Sequence, residues 1–256
     1  MSSGTAQSAF KALHEPGNPV VLPNIYDASS LSSLLQLNQG GKTLVKATAT
    51  ASWAIAASLG IRDEELTLEQ NLAAFSRIAP VAHAAALPIS IDLQDGYGER
   101  IAEAVARAAE LGAAGANIED SIPSAGFAWR PPRNSVDNGN DDDNGGVGRA
   151  RSAPEGFVLN ARCDVFRLEP PSVDEDEPTL REAVERGKAY LEAGATTVFY
   201  WGGARGLRTS EVETLVRELG LTLFAYYYLE GMAWMMSLRE TLEKRMITAK
   251  AHKLTA

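Results

Sequence analysis

The chain of 256 residues is 45% hydrophobic and 22% charged, the composition of an ordinary globular protein with enough apolar side chains for a sizeable core. Its formal net charge is −9, and no basic stretch is interleaved with aromatic residues, so we expect no nucleic-acid partner. The single cysteine, Cys163, excludes an internal disulfide, and no stretch is apolar enough to cross a membrane. We therefore expect a cytoplasmic protein without membrane contact.

Strand and helix patterns alternate along the chain. Apolar runs bounded by turn residues predict seven strands, at residues 20–24, 43–50, 88–93, 116–118, 156–162, 196–200 and 221–227. Apolar residues at helical spacing predict helices over residues 6–14, after the N-cap Asp27, after the N-cap Thr67, and over residues 101–111, 180–191, 212–219 and 230–250.

This alternation predicts an α/β fold with a parallel sheet, because the strands are nearly all apolar and the connections between them are short. A single (β/α) TIM-type barrel domain over residues 1–256 fits best, and an open doubly wound sheet is the alternative. A closed barrel needs eight strands, so one unit is missing or degenerate, in the gap between residues 200 and 221.

Residues 121–155 interrupt the alternation with prolines and an Asn/Asp/Gly-rich run that has no apolar period. A connection of this length without structure of its own is a lid or a disordered insertion. We expect a gating loop over residues 121–129 and disorder over residues 133–149, in place of the helix that would normally join the fourth and fifth strands.

The stretch IDLQDGYG, residues 91–98, joins a predicted strand to a glycine turn. Asp92 and Gln94 are two residues apart, so on a pleated strand their side chains face the same way. Gly96 and Gly98 permit the backbone angles of a tight exit turn. An unpaired carboxylate at the end of a central strand is unfavourable, so we expect a cation or a hydrogen-bond network there.

Polar side chains also follow the neighbouring strands. They are Ser52, Glu119, Asp120, Arg162 and Asp164. In a parallel barrel the carboxyl ends of the strands share one face, so these groups are expected around one site. Oxygen ligands without a cluster of His or Cys favour Mg²⁺, or Mn²⁺, and an arginine suits a planar carboxylate or phosphoryl group. Alternatively, Arg162 pairs with Glu119 or Asp120 in a structural salt bridge.

Five motifs in chain order resemble the phosphoenolpyruvate mutase and isocitrate lyase superfamily, in particular its phosphoenolpyruvate mutase-like branch: "VLPNIYDA", "TASWAIAASLGIRD", "IDLQDGYG", "GANIED" and "FVLNARCDVF". The resemblance covers residues 20–203. It implies a Mg²⁺-dependent (β/α) barrel that makes or breaks C–C or P–C bonds. Its substrates would be small 2-oxo or 2-hydroxy acids, such as oxaloacetate or a substituted malate, cleaved through an enolate-type intermediate.

The resemblance also implies roles for single residues. Asp92 would bind the metal directly, and Asp63, Gln94 and Glu119 would complete the metal site through water. The candidate catalytic residues are Arg162, Tyr97 and Asp63. The candidate substrate-binding residues are Ser52, Trp53, Gly96, Gly98, Asn117 and Arg162.

The sequence departs from the family pattern in two places. Gln94 stands where the family usually has a carboxylate, so weaker metal binding is expected. No segment is similar to the Lys-Lys-Cys-Gly-His loop of isocitrate lyases, and Cys163 follows a strand as a packing residue, so cleavage of isocitrate or methylisocitrate is not expected.

A catalytically weakened or inactive relative that binds a carboxylate, or acts as an interaction scaffold, is the alternative function. The resemblance further implies a homo-oligomer, usually a tetramer, that associates through the helix over residues 230–250.

Overall fold

The computed structural model describes residues 3–15, 20–41, 43–122, 128–129, 153–167, 176–202, 206–220 and 225–227. Within these segments the chain forms an α/β fold in which a parallel sheet curves as part of a (β/α) barrel, as the alternation predicted. The predicted helix over residues 230–250 and the insertion over residues 133–149 lie outside the described residues. No helix in the described segments has both the length and the apolar character needed to cross a bilayer.

The strands are β1 (Val21–Ile25), β2 (Thr48–Thr50), β3 (Ile89–Asp92), β4 (Gly115–Glu119), β5 (Ser121–Ile122), β6 (Ala128–Trp129), β7 (Val158–Cys163), β8 (Thr197–Tyr200) and β9 (Ala225–Tyr227). The helices are α1 (Ser3–Ala12), α2 (Ala28–Leu35), α3 (Ser52–Ser58), α4 (Leu68–Ala84), α5 (Ile101–Glu110), α6 (Asp176–Glu192) and α7 (Thr209–Leu219). Asp27 and Thr67 cap α2 and α4, as predicted.

The second strand is shorter than predicted, since it begins at Thr48 and not at residue 43. The reason is a pair of side-chain bonds at Val45. Asn38 Oδ1 accepts from the Val45 backbone N–H at 2.8 Å, and Asn38 Nδ2 donates to the Val45 carbonyl at 2.8 Å. These bonds occupy the two backbone groups that a sheet ladder would need.

The strand order β8-β7-β4-β3-β2-β1-β9 distinguishes the barrel from the doubly wound alternative. The strands of this sheet lie side by side in the order in which they occur in the chain, without a reversal of that order. Strand β9 pairs in parallel with β1, with Leu22 opposite Tyr226. Among the described residues the ladder is open between β8 and β9, where the sequence predicted a missing unit. The doubly wound alternative is therefore wrong.

The two faces of the sheet differ in chemistry. Ile89 and Ile91 of β3 pack outward among the helices, and the intervening Ser90 faces the barrel interior with the terminal Asp92. The same alternation places Asn117 of β4 between the outward Ala116 and Ile118. The expectation of nearly all-apolar strands is therefore wrong for the inner face, which carries polar side chains.

Helix α1 covers the amino-terminal end of the sheet. Its Phe10 is buried with Val20, Ala47, Ala114 and Val158, which lie at or just before the first residues of four strands. At the opposite end, the predicted gating loop begins with a two-stranded antiparallel ladder, in which β5 pairs with β6. Because α1 fills the amino-terminal end, a binding site is expected at the carboxyl ends of the strands.

Candidate active site at the carboxyl ends of the strands

Asp92, the last residue of β3, lies at the centre of the site. Its Oδ2 accepts from the Ser52 backbone N–H at 3.0 Å, and its Oδ1 accepts from Asn117 Nδ2 at 3.1 Å and from the Gln94 backbone N–H at 3.4 Å. The Ser52 N–H is available because this residue begins α3, where backbone N–H groups have no acceptor within the helix. The Asp92 N–H donates to Thr50 Oγ1 at 2.9 Å, so both main chain and carboxylate are fixed.

Gln94 connects this strand end to Asp63. Its Nε2 donates to the Asp63 carbonyl at 2.7 Å and to Asp63 Oδ1 at 2.8 Å. Because the amide nitrogen is used in this way, Oε1 is the Gln94 atom that remains as an acceptor toward a ligand or a water. Gln94 is buried, so these bonds hold Asp63 beside Asp92.

In the described segments, the carboxylates of Asp63 and Asp92 have no ion-pair partner. Burial, and then the neighbouring Asp92 charge, raise the pKa of Asp63 above its ordinary value. No Lys or Arg of the described segments forms an ion pair with either carboxylate, and Arg62, next to Asp63 in sequence, instead pairs with Glu64 at 3.0 Å. This part of the site therefore carries negative charge that a bound cation would offset.

The turn after β3 has an unusual backbone. Gln94, Gly96, Tyr97 and Gly98 have φ of 53°, 81°, 60° and 64°, all in the left-handed region. Two of them are not glycine, and such residues adopt this conformation at an energetic cost. The Glu119 N–H donates to the Gln94 carbonyl at 2.8 Å and helps to hold the turn. The strain lies at the candidate site, where the Gln94 side chain is held by its hydrogen bonds to Asp63.

Tyr97, a candidate catalytic residue, is held by a helix residue that sequence reasoning missed. Asn71 of α4 is fully buried, and its Nδ2 donates to Tyr97 Oη at 2.8 Å and to the Asp92 carbonyl at 2.8 Å. Burial raises the pKa of Tyr97, so its side chain stays a neutral phenol and cannot serve as a base near neutral pH. In the sequence, Asn71 could have been recognised as a polar residue on the apolar stripe formed by Leu68, Leu72 and Phe75.

Arg162 of β7 is bound to two carboxylates. Its Nε and Nη2 donate to Asp164 at 2.6 and 2.9 Å, and its Nη1 lies 2.7 Å from Glu119 Oε2. Arg162 also stacks on Trp201, with Cζ 5.0 Å from the ring centroid. These contacts use three of the five guanidinium N–H groups and leave at most two for a ligand.

The predicted structural salt bridge of Arg162 is therefore confirmed, with Glu119 and not Asp120 as the partner. Asp120 Oδ2 instead accepts from Arg186 Nη1 at 2.8 Å and from the Tyr190 hydroxyl at 2.7 Å. Burial raises the pKa of Glu119, and the Arg162 charge opposes this shift. Glu119 lies in the predicted cluster, but its carboxylate is already engaged by the arginine.

The other predicted residues also surround this site. Trp53 is the second residue of α3 and is 47% exposed, beside the Ser52 N–H that binds Asp92. Asn117 is buried and binds Asp92 through Nδ2. Cys163 is fully buried, and burial raises its pKa, so it is a packing thiol as expected and not a nucleophile.

The donor set fits a magnesium ion held mainly through water. In the described segments no three residues among His, Cys, Asp and Glu form a group that could hold a metal directly. Mg²⁺, however, keeps several waters and needs only one or two protein carboxylates. Asp92, with the oxygens of Asp63 and Gln94 beside it, is a set of this kind.

Comparison with known proteins gives a family match over most of the chain. The family model described as phosphoenolpyruvate phosphomutase matches residues 10–252. An uncharacterised protein of Mycobacterium tuberculosis is 31% identical over 192 residues, which are 75% of this chain and 64% of that protein. The 2-methylisocitrate lyase of Escherichia coli K12 is 29% identical over 208 residues, which are 78% of this chain and 63% of that enzyme. The chain thus matches under two thirds of the length of both relatives.

Solved structures share the fold. A Burkholderia cenocepacia protein assigned as a phosphonomutase is 26% identical with a TM-score of 0.72, covering 96% of this chain and 99% of its own. Oxaloacetate acetylhydrolase is 22% identical with a TM-score of 0.62, covering 84% of this chain and 69% of its own. Phosphonopyruvate hydrolase, solved with oxalate and Mg²⁺, is 19% identical with a TM-score of 0.60, covering 83% of this chain and 68% of its own.

Proposed function

Because the chain belongs to the phosphoenolpyruvate phosphomutase family, we propose that it is a Mg²⁺-dependent lyase or hydrolase of small 2-oxo or 2-hydroxy carboxylic acids. Cleavage of a C–C or P–C bond in an oxaloacetate- or malate-like substrate, through an enolate-type intermediate, is the reaction proposed. The observation that carries the proposal is the carboxylate of Asp92, fixed by three N–H donors beside the Asp63 carboxylate and near Arg162.

In the proposed reaction, the carboxylates and the amide of the site would have different roles. Asp92 would hold the ion directly, and Asp63 and the amide oxygen of Gln94 would hold its waters. When bound, Mg²⁺ would supply positive charge to offset the negative charge that develops on an enolate-type oxygen. Among the carboxylates, Asp63 is best suited to take or give a proton, because its pKa is raised and Arg162 does not bind it.

Arg162 would bind the substrate carboxylate through its two remaining N–H groups. Glu119 and Asp164 hold the guanidinium in one orientation, and Trp201 covers one of its faces. This arrangement gives the arginine a fixed direction toward a ligand without a rearrangement on binding. The gating loop over residues 121–129, which contains β5 and β6, is proposed to close over the site and exclude water from a basic intermediate.

A second function is favoured by specific contacts at the same site. Gln94 provides an amide where the family usually has a carboxylate, and Arg162 is already paired with two acidic groups. Both features would weaken ion and substrate binding relative to an active enzyme. The alternative is therefore a relative that binds a carboxylate, or acts as a scaffold, without turnover.

Calorimetry with Mg²⁺ and oxalate, an enolate mimic, tests the metal site. We expect oxalate to bind only in the presence of Mg²⁺, and Asp92→Asn to weaken this binding by about tenfold or more. Glu110→Gln, which removes the same charge from an exposed position of α5, is the matched control and should bind as the parent does. Mg²⁺-independent binding, or no binding, would leave the metal enzyme without support.

Turnover is tested with a panel of 2-oxo and 2-hydroxy acids, monitored by pyruvate release and by consumption of each acid, with Asp92→Asn as the negative control. Binding of Mg²⁺ and oxalate without turnover of any acid would favour the non-catalytic alternative. The predicted homo-oligomer through residues 230–250 stays a prediction, because that segment lies outside the described residues. A monomer in sedimentation of the full chain would contradict the predicted homo-oligomer.

A further inference from the structure

A row of hydrogen bonds crosses the inner face of the sheet and ends on Asp92. Thr197 Oγ1 of β8 donates to Asn160 Oδ1 of β7 at 2.7 Å, and Asn160 Nδ2 donates to Asn117 Oδ1 of β4 at 2.7 Å. Asn117 Nδ2 then donates to Asp92 Oδ1 at 3.1 Å. These four residues are direct register partners on four adjacent strands.

The direction of the row follows from the chemistry of its members. An ionised carboxylate only accepts, so Asn117 must present its NH₂ group to Asp92 and its oxygen to Asn160. Asn160 must then present its own NH₂ group to Asn117 and its oxygen to Thr197. The hydroxyl of Thr197, which could otherwise donate or accept, is thereby required to donate.

Because the row is buried, the loss of any one member would leave its neighbour without a hydrogen-bond partner. Asn117, Asn160 and Thr197 are 2%, 3% and 1% exposed, so solvent does not replace a missing partner easily. A hydrogen bond in such surroundings strengthens when its acceptor group donates onward in the same direction. All three dipoles point their positive ends toward Asp92, and together they favour its negative charge.

We propose that Thr197 and Asn160 are positioning residues for Asp92. They keep the Asn117 amide turned toward the carboxylate and so fix the orientation and the ligand strength of Asp92, although neither touches it. The proposal rests on the proposed function, because the quantity that it controls is the affinity of Asp92 for a divalent cation. Groups that hold a metal ligand in place typically change metal affinity by about tenfold to a hundredfold. Since Thr197 acts through two intervening amides, we expect an effect of about fivefold.

Thr197→Val tests the proposal, because valine keeps the shape of threonine and removes the donor. The readout is the dissociation constant for Mn²⁺, measured by electron paramagnetic resonance without substrate. Thr48→Val is the matched control: Thr48 is a fully buried threonine of β2 whose hydroxyl donates to the Pro23 carbonyl at 2.6 Å, outside the row. Both variants lose one buried hydrogen bond of a threonine, so a general loss of stability affects them alike.

We expect Thr197→Val to weaken Mn²⁺ binding about fivefold and Thr48→Val to leave it within about twofold of the parent. Thr197→Ser, which keeps the hydroxyl, should bind Mn²⁺ more tightly than Thr197→Ala. If Thr197→Val does not fold, the comparison of Thr197→Ser with Thr197→Ala tests the proposal instead. If the parent binds Mn²⁺ and the two variants of each pair bind it with equal affinity, the positioning role alone is overturned. A parent that binds no Mn²⁺ would overturn the proposed function and this inference together.

Discussion

Gln94→Glu introduces a carboxylate beside Asp63 and Asp92, and the structure predicts that it destabilises the metal-free protein. The Gln94 amide nitrogen donates to both the carbonyl and the Oδ1 of Asp63, at 2.7 and 2.8 Å. The substitution replaces this donor with an oxygen that faces two acceptors. Two hydrogen bonds are lost, and a second negative charge is placed against Asp63.

The expected loss can be worked out from these contacts. Leaving the part-buried acceptors of Asp63 without their donor costs about 1–3 kcal/mol. Two like charges about 4 Å apart repel by about 4 kcal/mol at an effective dielectric constant of 20. Rotation of the introduced side chain and uptake of a proton relieve part of this repulsion. We therefore expect a net loss of about 2–5 kcal/mol in the free energy of unfolding near pH 8.

The pH dependence has a definite sign. The introduced carboxyl group and Asp63 should both have raised pKa values in the folded state, so folded protein binds protons more readily than unfolded protein. The repulsive part of the stability difference from the parent is therefore largest above the raised pKa values and disappears below about pH 3, where both groups are protonated in either state. A divalent cation at Asp92 would offset the same repulsion and restore stability at high pH.

Urea denaturation at pH 8 and pH 3, with and without Mg²⁺, measures these effects. Gln39→Glu adds the same charge at an exposed position and serves as the control. A Gln94→Glu variant as stable as the parent at pH 8 without divalent ions would refute the described role of the Gln94 amide. A destabilised variant that Mg²⁺ does not restore would refute the placement of the ion.

Further predictions concern the acidic pair and the turn. Burial and Asp92 raise the Asp63 pKa, so the stability linked to Asp63 is lost as the pH rises through its folded value; Asp63→Asn should be more stable than the parent at pH 7 and not at pH 3, by urea denaturation. Gly96→Ala places a methyl group 2.6 Å from Ile101 Cδ1 at a φ of 81°, and should lose about 2–4 kcal/mol of stability in the same assay. Gly98→Ala, with a φ of 64° and no neighbour within 4 Å, should lose only about 1 kcal/mol. Equal losses for the two glycine variants would contradict the packing difference.

The parts of the fold that depend on local chemistry were predictable from the sequence. Asp27 and Thr67 cap helices because a side-chain oxygen at these positions accepts from the first helical turn, a contact that spans three residues. The position of Asp92 at a strand end also followed from the sequence, since an apolar alternation leads directly into it. One topological rule then placed Glu119 and Arg162 at the same end of the sheet.

The contacts between distant segments could not be predicted in this way. Whether Arg162 pairs with Glu119 or with Asp120 depends on which face of the sheet each side chain occupies, and adjacent residues of a strand face opposite sides. Asn160 was missed because β7 was predicted as one apolar run, and such a run does not separate inward from outward positions. A strict period of two, applied to each strand, would have identified it as a polar inward residue.

The charges of the site imply that ion and substrate must bind together. Arg162 is offset by Glu119 and Asp164, so a substrate carboxylate that binds there meets little net positive charge. The same ligand would approach Asp92 and Asp63, which pair with no Lys or Arg in the part of the chain that the structure describes, and repulsion would oppose it. A divalent cation removes this opposition, and thermodynamic linkage requires the reverse effect to be equal. Oxalate should therefore tighten Mg²⁺ binding by the same factor by which Mg²⁺ tightens oxalate binding, and calorimetric titrations in which neither ligand tightens the binding of the other would contradict this argument.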